Sequence, residues 1–108
     1  QALFMIARDA HGSLLGCGAI RPLLPGVAEL KRMYARPGSG AGAPLLAALE
    51  TEARRLGYEE IRLSTRRINT RAVDFYRRHG YAKAPAWGKY LGSEVSVCLG
   101  RSLLSQRA

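Results

Sequence analysis

Three glycines at alternate positions, Gly38, Gly40 and Gly42, stand directly before a leucine-rich run in "MYARPGSGAGAPLLAALETEARRLG" (33–57). Bare backbone of this kind lets the main chain approach a bulky group closely. The helix start that follows adds unpaired N–H groups and the positive end of a dipole. Together they make an anion site, most often for phosphate. The chemistry therefore turns on which phosphorylated ligand the loop takes.

The elements that must hold this loop are legible in the apolar pattern. "LFMIARDAHGSLLGCGAI" (3–20) predicts two strands around a turn supplied by Asp9, His11 and Gly12. "VAELKRMYA" (27–35) alternates as a strand, with Ala28, Leu30, Arg32 and Tyr34 on one face and Val27, Glu29, Lys31, Met33 and Ala35 on the other. Leu45, Leu46, Leu49, Ala53 and Leu56 recur at helical spacing, with Pro44 in the first turn and Gly57 past the end. "YEEIRLST" (58–65) is a further strand. Asn69 then caps a helix whose apolar side carries Ala72, Phe75, Tyr76 and the stem of His79. "YAKAPAW" and "EVSVCLG" predict two last strands. The order is β-β-β-α-β-α-β-β, so two helices must pack on a mixed sheet in an α/β (α+β) domain. That domain spans 1–104, and 105–108 read as a tail.

A chain of 108 residues, 47% hydrophobic, suits one small domain with its own core. No apolar run approaches the roughly 20 residues of a membrane span. There is no signal-peptide pattern, and a first residue Gln1 points to a processed, trimmed or partial chain. The two cysteines, Cys17 and Cys98, sit in apolar strand-like segments as buried, reduced thiols; two make neither a disulfide framework nor a zinc site, and no metal is expected. A cytoplasmic setting follows. The formal charge of +9 attracts polyanions, whether nucleic acid or a phosphorylated cofactor.

Three ligands compete for the glycines. A nucleoside-triphosphate loop of the Walker A type needs Gly-Lys-Ser/Thr, and Gly42 is followed by Ala43 and Pro44. The dinucleotide fingerprint is met on its face by Gly38, Gly40 and Ala43, and Arg66-Arg67 could suit the 2′-phosphate of NADPH, but the chain has too few strands for that architecture. The third is coenzyme A. "ELKRMYARP…GAGAPLLAALE" resembles the acetyl-CoA-binding segment of the GNAT superfamily of N-acetyltransferases, "LSTRRINTRAVDFYRRHGY" resembles that superfamily's strand–Asn–helix–Tyr–Gly-aromatic segment, and "GKYLGSEVSVCLGRSL" resembles the tail of a bacterial subgroup. The likeness runs from about Leu3 to Leu104.

The resemblance implies a mostly antiparallel, twisted mixed sheet and acetyl transfer to a primary amine of a small molecule or peptide. It implies that the backbone of Gly38, Ser39, Gly40, Ala41 and Gly42 holds the pyrophosphate of acetyl-CoA, and that the pantetheine arm pairs with the strand edge at Met33, Tyr34 and Ala35. Asn69 would orient that arm. Tyr76 occupies the position of the helix tyrosine that protonates the leaving thiolate; with a pKa of roughly 10 against about 8.5 for a thiol, it stays protonated. Glu29 would take the proton of the acceptor ammonium, or else pair with Lys31 or Arg62. Ser64 and Thr65 would touch the acceptor where two strands splay. Arg67, Arg71 and Arg78 form a basic face, either solvated or drawn to the 3′-phosphate.

Two departures stand out. Pro37 falls where the family has an Arg or Gln donor, and the short basic loop before Gly38 is missing. The family's leading strand and two helices, one wall of the acceptor site, have no counterpart, so the chain is incomplete, or completed by another subunit, or open; an open side would suit a homodimer. The competing class is a truncated, non-catalytic coenzyme A or nucleic-acid binding module. Against nucleic acid, aromatic residues are few and no stacking platform is visible.

Overall fold

The structure, a computed structural model, describes residues 2–104; the tail expected at 105–108 lies outside them. Six strands and two helices appear in the expected order: β1 (Leu3–Arg8), β2 (Leu14–Leu24), β3 (Val27–Ala35), α1 (Gly42–Arg55), β4 (Glu60–Arg66), α2 (Thr70–Arg78), β5 (Ala82–Lys83) and β6 (Ser96–Ser102), with a short 3-10 turn at Gly88–Tyr90 before β6. They form one sheet, β1-β2-β3-β4-β6-β5. Only β3 and β4 run parallel, because α1 is the crossover between them. The mixed, mostly antiparallel α+β class expected from the sequence is the class observed.

The α1 stripe explains the core. Leu45, Leu46, Leu49 and Ala53 are buried and pack with Ile20, Ala28, Leu30, Ile61, Leu63 and Leu99 of the sheet. The helix can lie this close because β2 has no side chain beneath it: a Cβ on Gly18 would stand 2.7 Å from Leu49 Cδ1.

Both helices end in the same device. At the end of α2, Gly80 adopts a φ of 93°. Its N–H bonds to the Arg77 carbonyl at 3.2 Å and that of Tyr81 to the Tyr76 carbonyl at 3.0 Å. Tyr81 is thereby turned inward. Its hydroxyl donates to Glu50 Oε2 of α1 at 2.7 Å, and Arg101 of β6 holds the other carboxylate oxygen at 2.8 Å.

Three expectations change. The last two strands differ from expectation: "YAKAPAW" forms a strand only at Ala82–Lys83, and the final strand is shifted by two residues to Ser96–Ser102. One further bond follows, from the Ala84 N–H to the Cys98 carbonyl at 2.9 Å. The alternation of β3 also breaks. Lys31 faces Ala19 and Tyr34 faces Cys17, so β3 carries one residue more than β2 across this interval. This β-bulge holds Arg32 at a φ of 57° and flips the faces beyond it. Met33 therefore packs on the core and Tyr34 is exposed, where strict alternation put them with Glu29 and Leu30 respectively. Finally, Cys98 is buried but Cys17 only partly so; both are free thiols.

Candidate active site

The parallel pairing of β3 and β4 is short. It joins Val27 to Glu60, Ala28 to Ile61 and Glu29 to Arg62, and stops. Beyond it β3 continues to Ala35 and β4 to Arg66 without pairing with each other, and the gap between them is the site. The splay expected near Ser64 and Thr65 is present.

One side of the gap is a groove of about 540 Å³ between the end of β3 and α2. Met33, Tyr34 and Ala35 form its strand wall, Gly38 and Gly42 its loop end, and Asn69 and Tyr76 part of its helix wall. In the loop, the Ser39 N–H bonds to the Arg36 carbonyl at 3.1 Å and the Ala41 N–H to Ser39 Oγ at 3.2 Å. Among the described residues, the N–H groups of Gly38, Gly40 and Gly42 take no partner. Five candidate donors thus narrow to three, all glycine. A Cβ on Gly38 or Gly40 would meet nothing within 4 Å, so the space they leave is open to a ligand. Helix α1 has no side-chain cap and no acidic residue in its first turn, which leaves its positive end available. Arg36 lines the groove as well, with one guanidinium nitrogen tied to the Leu14 carbonyl at 2.6 Å.

The other side is a cavity of about 250 Å³ lined by Glu29, Ser64, Thr65 and Tyr90 among others. Met33, Asn69, Ala72 and Tyr76 line both spaces, so groove and cavity meet there. At this junction Asn69 Oδ1 caps α2 by accepting the Ala72 N–H at 3.3 Å. The cap uses the oxygen and leaves the side-chain NH2 available. Tyr76 is 7% exposed. Burial pushes its pKa up to about 12, and its hydroxyl takes no hydrogen bond among the described residues. Burial pushes Tyr81 up too, reinforced by the Glu50 carboxylate.

Glu29 is 2% exposed. It pairs with Arg21 at 3.0 Å and with Lys31 at 3.9 Å. The alternative pairing with Arg62 does not occur, because Arg62 pairs with Glu60 at 2.8 Å on its own strand. Arg71 and Arg78 both line the groove; Arg67 instead ties to the Glu94 and Ser96 carbonyls at 3.2 and 3.1 Å. No cluster of potential metal ligands exists among the described residues.

Residues 1–81 match the Acetyltransferase (GNAT) family. The chain belongs to that family. A GNAT protein's sheet is also what the structural comparison returns: a Klebsiella pneumoniae crystal structure assigned as an acyl-CoA N-acyltransferase shares 34% identity at a TM-score of 0.88, over 95% of this chain and 73% of that one. The PaiA N-acetyltransferase of Thermoplasma acidophilum, crystallised with coenzyme A, has the same fold at 24% identity and a TM-score of 0.78, over 94% of this chain and 60% of that one. An uncharacterised N-acetyltransferase of Schizosaccharomyces pombe is 36% identical over 85 residues, which are 75% of this chain. The chain spans 52% of that relative's length.

For this GNAT chain, sequence reasoning missed three features. Tyr90 reaches the cavity from the loop before β6, where its ring stacks edge-on with Trp87 at 5.6 Å; a tyrosine between Gly88 and Gly92, close after Trp87, was the available signal. Asp74 lines the groove on the α2 face shared with Arg71 and Arg78, at spacings of three and four that were open to view. The bulge at Arg32 had no sequence signal.

Proposed function

We propose that residues 2–104 form one acetyltransferase domain that moves the acetyl group of acetyl-CoA to a primary amine of a small molecule or peptide by direct attack, in a cytoplasmic setting. The observation that carries this is the meeting of a glycine-ended groove with a second cavity at Met33, Asn69, Ala72 and Tyr76. The groove fits a phosphorylated, elongated ligand: three free N–H groups and an uncapped helix start lie at one end, and an unpaired strand edge runs along the wall. The GNAT family uses acetyl-CoA, and the T. acidophilum relative holds coenzyme A.

Gly38, Gly40 and Gly42 would hold the pyrophosphate through their N–H groups. Met33, Tyr34 and Ala35 would pair with the amide arm as an added strand, and the Asn69 amide would orient it. When bound, acetyl-CoA supplies an activated acetyl thioester. A β3 backbone N–H near the bulge would polarise the thioester carbonyl. Glu29 would accept the acceptor's ammonium proton, directly or through water. Ser64 and Thr65 would contact the acceptor. Tyr76 would donate a hydrogen bond to the departing sulfur. With its pKa near 12 against about 8.5 for a thiol, full proton transfer from the free-state tyrosine is uphill by about 5 kcal/mol. That hydroxyl therefore stabilises the thiolate by its hydrogen bond, and the N–H proton that the attacking amine loses on forming the amide balances the thiolate as free thiol.

Calorimetric titration with acetyl-CoA at moderate salt, with NADPH as control, tests the reading. Micromolar acetyl-CoA binding without NADPH binding is expected. Folded protein that binds no acetyl-CoA would overturn it.

A further inference from the structure

The cavity beyond the cofactor groove has an unusual charge balance. Among the described residues that line it, Glu29 is the one acidic residue, and Lys31 and the exposed Arg32 are the basic ones. Glu29 is already shared between Arg21 and Lys31. The Arg32 guanidinium takes no hydrogen bond or ion pair among the described residues. Arg32 is also the one described non-glycine residue with a positive φ, 57°, at the inserted position of the β3 bulge. Glycine would relax that backbone. A long charged side chain held there, against the local preference, is the kind of strain that collects at ligand sites.

We infer that the acceptor is a primary amine of amino-acid size that also carries a carboxylate, and that Arg32 is the residue that reads this carboxylate. The inference rests on the acetyl-transfer reading above and narrows its substrate class. A cavity of about 250 Å³ admits a small molecule. A guanidinium offers a planar fork that binds a carboxylate through two hydrogen bonds. The amine end of the same molecule lies toward Glu29 and Tyr76, and the Ser64 and Thr65 hydroxyls flank it. A diamine or polyamine meets two cations and a carboxylate that is already shared, so the site selects against it. The same positive surroundings favour the neutral amine over the ammonium, and only the neutral amine can attack.

The test uses matched acceptors with acetyl-CoA: the common amino acids, the amides of the same amino acids, and putrescine. The expected result is that amino acids are acetylated with at least tenfold higher kcat/KM than their amides, and that putrescine is the poorest. In Arg32→Gly the preference disappears through a raised KM for the amino acid. The melting temperature holds or rises because the backbone strain is released, and acetyl-CoA affinity is unchanged. Arg32→Lys keeps the charge without the fork and retains part of the preference. Amides or putrescine used as well as amino acids, no amino acid acetylated by protein that binds acetyl-CoA, or a preference intact in Arg32→Gly would each overturn the inference. Failure to bind acetyl-CoA would instead overturn the acetyl-transfer reading itself.

Discussion

Tyr76 and Tyr81 meet edge to face with ring centroids 5.5 Å apart, and the N–H of one bonds to the carbonyl of the other, yet only one hydroxyl is tied. Tyr81 donates to Glu50, while Tyr76 is left facing the junction of groove and cavity. The helix end thus places two similar side chains in different roles, one as a clamp and one as an available donor.

Removing that donor separates chemistry from binding. Tyr76→Phe keeps the ring contacts with Phe75 and Tyr81. We expect turnover to fall on the order of 10- to 100-fold, below the roughly 100- to 10,000-fold of full acid catalysis because the hydroxyl acts by hydrogen bonding, with acetyl-CoA affinity within about twofold. Steady-state kinetics beside calorimetry reads both; unchanged turnover would remove the hydroxyl from the mechanism.

The raised pKa of Tyr76 makes stability depend on alkaline pH. The native state keeps its proton up to about pH 12, whereas the unfolded chain loses it near pH 10. The stabilisation is fully present below about pH 10 and is lost as pH rises through the native pKa. Its share of the loss reaches about 1 kcal/mol at pH 11. Denaturant titrations from pH 8 to 11.5 should show a shallower decline in Tyr76→Phe than in the parent.

The clamp can be tested through Tyr81→Phe, which keeps the ring and deletes the bond to the Glu50 carboxylate. A buried hydrogen bond to a charged group predicts a loss of about 1–3 kcal/mol in urea unfolding. No loss would mean that Arg101 alone satisfies Glu50.

At the glycine loop, Gly40→Asn tolerates the positive φ of 72° better than a branched residue would. Its side chain enters space where a Cβ meets nothing in the protein. The variant should fold with near-parent stability and bind acetyl-CoA at least tenfold more weakly, a difference that calorimetry resolves. Parent affinity would dismiss Gly40 from the cradle.

Glu29→Gln keeps the shape of the side chain and removes its basicity. If Glu29 takes the ammonium proton, kcat falls on the order of 100-fold and activity recovers as pH rises and free amine accumulates. A drop in melting temperature with no change in the pH profile would leave Glu29 as a partner for Arg21 and Lys31 only.

Elements set by short-range pattern were legible in the chain itself. The α1 stripe of Leu45, Leu46, Leu49 and Ala53, the Asn69 cap and the helix end at Gly80 each depend on neighbours within a few residues, and each is found as expected. Periodicity and helix-end chemistry act locally, so they are written in order along the chain. The position of Tyr76 on the inner face of α2 followed from the same spacing.

The bulge at Arg32, the Arg21 and Lys31 partners of Glu29, the clamp from Tyr81 through Glu50 to Arg101, and the approach of Tyr90 were settled only in three dimensions. Each joins residues on different elements or depends on how two strands register. Register answers to the packing of the whole sheet against α1, where one extra residue on β3 moved Met33 and Tyr34 to opposite faces from those their spacing indicated.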